Sequence, residues 1–307
     1  MGRLSIGQRR ALVAIALAVV AIISIIAAWR LAYASGTDLL FNSGWPLIFV
    51  ALFAGFGAAA ISKRHDPEIV GDKVLRHDSP AMLSHWTHAF GTVALLITGL
   101  SMGCLIIPNV LGTAQTNAMM NVHFVAALFF LFGTCYHVGN SIIAPRRFRE
   151  HMPDEHSMDY TLKHFRIMLG SKKVPPLDEE KYLGSERTAY LGAIGIAGLV
   201  GITGIFKVLA HVVSLPAGFM NVVFFLHDAA AILMLLFLIA HVFFAVFAPH
   251  AFPNLIAMTT GWMSVEHASE EHPKWVRDIR AAGRVSEGTP ETSTDNSCGT
   301  VAVQERQ

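Results

Sequence analysis

Long apolar runs separated by short polar connections set the rhythm of the chain. A helix that crosses a bilayer needs about 20 mostly apolar residues to span roughly 30 Å of hydrocarbon. Six stretches meet that requirement: Ala11 to Leu31, Trp45 to Ser62, His85 to Ile107, Met120 to Ile143, Thr188 to His211 and Phe219 to Phe247. The pattern predicts an all-α fold, a polytopic membrane helix bundle. Charge in the connections predicts its orientation, because basic residues collect on the cytoplasmic side. One loop carries Lys63, Arg64, Lys73 and Arg76, and another carries Arg146, Arg147, Arg149, Lys163, Arg166, Lys172, Lys173, Lys181 and Arg187. The connection between them in sequence, Pro108 to Ala118, has no charged residue. The two basic loops and the C-terminus are therefore expected in the cytoplasm, with the neutral connections outside.

The first run follows Arg9 and Arg10 and ends at Ala32-Tyr33-Ala34, an A-x-A pattern of the kind cut by signal peptidase. Its apolar stretch of about 18 residues exceeds the roughly 7 to 15 of a signal peptide, which favours a retained anchor over a cleaved signal. Beyond the last span the chain turns polar, and Ser286 to Gln307 is expected to be a disordered tail.

Composition narrows the function. With 53% hydrophobic and only 15% charged residues, the 307-residue chain does not read as two soluble domains. A net charge of +1 gives no basic field for nucleic acid. The three cysteines, Cys104, Cys135 and Cys298, form no CxxC, which argues against a disulfide framework, an iron-sulfur cluster and a covalently attached haem. No GxGxxG after a strand, Walker sequence, HExxH or GxSxG is present.

The unusual count is fifteen histidines, several of them inside apolar runs. Ionisable groups in a membrane are costly and persist mainly beside partners, cavities or metals. His227 and His241 share the sixth run, fourteen residues apart: about 1400° of helix, within about 40° of four turns, and about 21 Å along the axis. His123 and His137 repeat that spacing on the fourth run, and His85 and His88 open the third. Two imidazoles from separate helices at one depth can hold a haem iron. Depth pairs His123 with His227 on the outer side. On the inner side His241 has two possible partners, His85 and His137, and helical geometry does not choose between them. A lone intramembrane histidine more often makes an interhelical hydrogen bond, but four at matched depths point to two haems.

The stretch Ser84-His85-Trp86-Thr87-His88, followed by Leu96-Ile97-Thr98-Gly99, resembles the first haem-binding helix of the gamma (cytochrome b) subunits of membrane-bound formate dehydrogenases. The likeness continues through Val122-His123-Phe124, Leu226-His227-Asp228-Ala229-Ala230, Ile239-Ala240-His241, Gly261-Trp262 and Glu271-His272-Pro273-Lys274-Trp275. That group is part of a wider set of di-haem cytochromes b that also serve nickel-iron hydrogenases and thiosulfate reductases. The resemblance implies a four-helix di-haem core with two additional N-terminal helices. It implies two haem b groups, the inner held by His85 and His241 and the outer by His123 and His227. His137 becomes a neighbouring polar group or a propionate contact, and His88 an alternative ligand to His85.

The resemblance also implies a subunit of the bacterial inner membrane, not catalytic alone, with its C-terminus in the cytoplasm. It would take electrons from a periplasmic iron-sulfur subunit, itself served by a catalytic molybdenum or tungsten subunit, and pass them to menaquinone or ubiquinone. Relatives carry Tyr-Asn-x-Gly near the quinone; here Tyr182 matches, Leu183 replaces the amide and Gly184 stands one place before the pattern's glycine, leaving Arg187 and His241 as further donors. The implied division is 1–75 for the N-terminal helices and basic loop, 76–260 for the core, 261–285 for a cytoplasmic segment and 286–307 for the tail. His267, His272 and Trp275 are read as packing residues of that segment.

Two further features are less specific. Gly192, Gly195, Gly198, Gly201 and Gly204 recur every third residue, a stripe expected chiefly to let helices approach closely and, beside a haem, to leave room for a flat ring. Thr98-Gly99 echoes Thr203-Gly204. The competing functions are the cytochrome b of a hydrogenase or thiosulfate-type reductase, and a haem-free proton-coupled transporter whose histidines relay protons.

Overall fold

A computed structural model describes residues 39–168, 177–248 and 251–288. The first expected span, its A-x-A site, Cys298 and most of the expected tail lie outside these residues. The described chain opens with one turn, α1 (Phe41–Gly44), and a short apolar helix, α2 (Leu47–Ile61). Strands β1 (Ile69–Val70) and β2 (Lys73–Leu75) precede the long helices α3 (Ser79–Met102) and α4 (Thr113–Ile143). After α5 (Pro145–His151) and α6 (Ser157–Met168) come the second long pair, α7 (Gly184–Leu209) and α8 (Ala217–Val242). A π-helical turn, Phe243–Phe247, leads to α9 (Phe252–Thr260), β3 (Trp262–Ser264), α10 (Val265–Glu271), α11 (Pro273–Ala281) and β4 (Val285–Ser286).

Local chemistry explains the helix ends. Asp78 caps α3 by accepting from Ala81 N–H at 3.3 Å, with Pro80 in the first turn where no amide is needed. At α7 the Glu186 carboxylate reaches back to Leu183 N–H at 2.9 Å. Ser264 caps α10 through His267 N–H at 3.3 Å. Gly261 ends α9 at φ 87°, a left-handed conformation that glycine adopts without a Cβ clash.

Among the described residues, three helices are long and apolar enough to cross a membrane: Thr113–Ile143, Gly184–Leu209 and Ala217–Phe247. Helix α3 has the length, at 24 residues, but carries Ser84, His85, Thr87 and His88 in its first turns. Large apolar side chains stand on the outside of the bundle, among them Phe53, Phe90, Ile97, Phe129, Ile142 and Leu236. On helices of membrane-spanning length, an outward face of this kind suits contact with lipid. The protein is a multi-pass helical membrane bundle.

The helices form two groups. Helices α2, α3 and α4 pack tightly through small residues. A Cβ at Gly55 would lie 2.4 Å from Phe132 O, and one at Gly139 would lie 2.8 Å from Ala59 Cβ. Gly91 against Phe130 N, at 3.2 Å, does the same for α3 and α4. Helices α7 and α8 form the second group. Between the groups lies a cavity of about 370 Å³ lined by all four long helices.

At one end the loops build a cap. Four short strands form a sheet in the order β3-β2-β1-β4, an addition to the all-helical expectation. Ile69 pairs with Val74 across the two-residue turn Gly71–Asp72, Val74 with Met263, and Ile69 in parallel with Val285. Under the sheet, Ile69, Val74, Ala257, Met263, Trp275, Val276 and Ile279 make a separate apolar core. Each large side chain there stabilises the cap by roughly 1.5–3 kcal/mol. The buried Arg76 guanidinium clamps Glu186 with two 3.0 Å bonds and donates to Asn254, tying β2 to α7 and α9. Arg147 donates to Asp78 at 2.5 Å. The basic loops and the post-span segment thus meet at the same end of the bundle.

Candidate haem-binding site

The third, fourth and sixth expected spans bring His85, His123, His227 and His241 to the gap between the two helix groups. Toward the end opposite the cap, His123 of α4 faces His227 of α8, with ring centroids 6.5 Å apart. Toward the cap, His85 of α3 faces His241 of α8, with centroids 6.0 Å apart. Two imidazoles bound on opposite sides of one metal, each with nitrogen at about 2 Å, have centroids about 6 Å apart. Both pairs have that separation, and the cavity adjoins the distal one.

The distal pair is framed symmetrically. His123 Nδ1 lies 2.8 Å from Thr98 Oγ1, and His227 Nδ1 lies 3.0 Å from Thr203 Oγ1. The next residue in each helix is glycine, which lets the ring approach closely: a Cβ at Gly99 would sit 3.3 Å from His123 Cε1, and one at Gly204 3.3 Å from His227 Cε1, both tighter than ordinary contact. At the rim, Lys207 lies 4.0 Å from Asp228, whose other oxygen accepts from Leu105 N–H at 3.3 Å. Apolar walls, paired nitrogen donors and a glycine-lined approach are the donor set and shape that a b-type haem needs.

At the cap-side pair the supports are aromatic. His241 stacks on Phe237 at 5.8 Å with planes 7° apart, and His85 meets Trp86 edge-on at 5.2 Å. Trp86 Nε1 donates to Met258 O at 3.0 Å, which fixes this part of α3 to the cap. The two other intramembrane histidines, His88 and His137, also lie 6.4 Å apart between centroids, but a ring nitrogen of each is bonded to a hydroxyl. His137 Nε2 is bonded to Tyr190 Oη at 2.5 Å, and its Nδ1 lies 3.4 Å from Ser84 Oγ. His88 Nε2 is 3.1 Å from Thr134 Oγ1, whose hydroxyl donates to Phe130 O at 2.9 Å. The structure brings His85, and not His137, opposite His241.

The residues expected around a quinone occupy the cap-side entrance to the bundle. Tyr182 meets His151 at a tilt with ring centroids 4.1 Å apart, and His151 lies 4.9 Å from Tyr190. Arg187 is buried between Asp154, at 2.8 Å, and Glu180. Gly184 N–H donates to Glu179 at 3.0 Å. Burial pushes the Tyr182 phenol up and holds the His151 imidazole down at about 4. His272 is buried as expected of a packing residue, with Nδ1 bonded to Glu180 O at 2.7 Å. The glycine stripe follows the packing expectation only in part. Gly192, Gly195 and Gly198 have nothing within 4 Å of a Cβ position, while Gly201 and Gly204 face the cavity, because one helix face three residues apart drifts from open surface to interior.

Sequence reasoning did not reach Tyr190, Lys207 or the threonine contacts. For the threonines a signal existed in the repeated Thr-Gly; Tyr190 at the end of an apolar helix carries none.

A helical bundle with imidazoles facing each other across a lipid-embedded gap has the architecture of a membrane cytochrome b. The chain belongs to the prokaryotic cytochrome b561 family, whose sequence model matches residues 76–261, and this membership makes it a haem b protein. It is similar to the formate dehydrogenase cytochrome b556(fdo) subunit of Escherichia coli (strain K12), 22% identical over 218 residues that cover 68% of this chain and 94% of that protein. It is also similar to the formate dehydrogenase cytochrome b556 subunit of Haemophilus influenzae, 22% identical over 219 residues covering 69% and 86%.

Proposed function

We propose that the chain is the di-haem cytochrome b subunit of a formate dehydrogenase, relaying electrons from a periplasmic iron-sulfur subunit to the quinone pool of the bacterial inner membrane. The observation that carries the reading is the presence of two facing imidazole pairs, 6.5 and 6.0 Å between centroids, at two depths of one bundle. Haem, when bound, supplies one-electron chemistry at its iron. His123 and His227 would hold the outer group, and His85 and His241 the inner one.

The cap, with both basic loops, would face the cytoplasm. His241 is exposed as well as facing His85, and a membrane-dissolved menaquinone or ubiquinone would approach the inner site there. Tyr182 lies above this region, and Arg187 and Gly184, bonded to Asp154, Glu180 and Glu179, would shape the approach from the cap. The similarity to formate dehydrogenase subunits from two organisms supports formate as the source of electrons. The oxidation itself would belong to a molybdenum- or tungsten-containing partner.

Haem content of histidine variants tests the assignment. His123→Ala or His227→Ala is expected to remove one haem and leave the other, and His85→Ala to empty the inner site alone. An inner site emptied by His137→Ala and retained in His85→Ala would overturn it. Copurification identifies the donor: a partner set oxidising hydrogen in place of formate would move the chain to the hydrogenase branch.

A further inference from the structure

The distal site is built twice from the same parts. Thr98 stands 25 residues before His123, and Thr203 stands 24 residues before His227; each threonine is followed by the glycine that faces its histidine. The two halves come from different helix pairs, α3 with α4 and α7 with α8, and meet across the gap.

In both halves the threonine proton is already committed. Thr98 Oγ1 donates to Ala94 O at 2.7 Å, and Thr203 Oγ1 donates to Leu199 O at 2.6 Å. A hydroxyl has one proton and two lone pairs. With that proton on the backbone carbonyl, the oxygen facing each imidazole accepts, which assigns the histidine's proton to Nδ1. That leaves Nε2 with a free lone pair, directed away from the threonine. An outer hydrogen bond of this kind fixes ring orientation and makes the imidazole a more basic ligand.

We propose that Thr98 and Thr203 are a matched pair of positioning residues that set the tautomer of His123 and His227 and lower the potential of the outer haem. The inference rests on the reading that His123 and His227 hold that haem. A more basic ligand favours ferric over ferrous iron. Among the described residues, neither ring nitrogen of His85 or His241 has a hydrogen-bond acceptor. The threonine bonds thereby act on the outer haem and have no counterpart at the inner one.

The test is a potentiometric titration of both haems in the full chain within its native complex, for Thr98→Val, Thr203→Val and the corresponding serine variants. Each valine variant is expected to weaken ferric relative to ferrous binding about tenfold, raising the outer midpoint by about 59 mV for one electron. The inner haem stays in place, and serine restores the parent value. An unshifted outer midpoint with the haem retained, or an equal shift of both haems, overturns the proposal. Should valine empty the outer site, the serine variants decide: a restored haem at the parent potential supports the proposal, and an empty site contradicts it. If His123→Ala keeps both haems, the underlying site assignment fails instead, whatever the threonine variants do.

Discussion

Glu179 is buried at the foot of α7, where one carboxylate oxygen accepts from Gly184 N–H at 3.0 Å and the other has no hydrogen-bond partner among the described residues. Burial pushes its pKa from 4.5 up to about 7. The folded protein thus holds the proton more tightly than the unfolded chain. Its contribution to stability is complete below about pH 4.5 and is lost as pH rises through about 7. The thermal midpoint in detergent should fall across that window, and Glu179→Gln should flatten the fall; an unchanged slope would contradict the account. His272 acts in the opposite sense. Its pKa is held at about 2 by burial, so its contribution is complete above 6.5 and erodes as pH drops. At this scale the histidines were legible from sequence, because a titratable ring in an apolar run has few reasons to be there. Thr98 and Thr203 were visible only as an echo, since a helical threonine ordinarily bonds its own backbone and the sequence does not show which histidine lies across from it.

Glycine placement decides how the helices pack. At Gly55 an added Cβ would be 2.4 Å from Phe132 O, a backbone atom that cannot turn aside. Gly55→Leu should push α2 off α4 and destabilise the bundle by about 1–3 kcal/mol, read as a lower thermal midpoint. Gly192→Ala and Gly195→Ala meet open space and should be neutral or stabilising by up to about 1 kcal/mol. The reverse ranking would mean that the helix faces are wrongly assigned. The spans were legible as elements because hydropathy over 20 residues is a strong signal. The faces were not, and a three-residue glycine period pointed at the wrong part of α7. The cap strands, of two or three residues each, are too short to show alternation, and their partners lie across the whole core: β1 pairs with β2 nearby and with β4, more than 200 residues away.

The described residues form two helix groups on either side of the gap that carries the imidazole pairs, closed at one end by the cap. Arg76 is the fastening between cap and bundle, with 2% of its side chain exposed and Glu186 and Asn254 as partners. Arg76→Met leaves Glu186 without its cation and should cost about 3 kcal/mol, seen as earlier proteolysis of the cap. A variant as resistant as the parent would show the cap to be held by its apolar core alone. Charge in the loops made this end predictable, whereas the sheet that joins residues before α3 to residues after α8 depends on contacts too distant in sequence to infer. The central claim, that two imidazole pairs at separate depths each grip one haem, is tested most directly by haem stoichiometry with a reduced-minus-oxidised spectrum of the purified chain. The account predicts b-type bands and two haems per chain; a colourless protein, or one that saturates at a single haem, would contradict it.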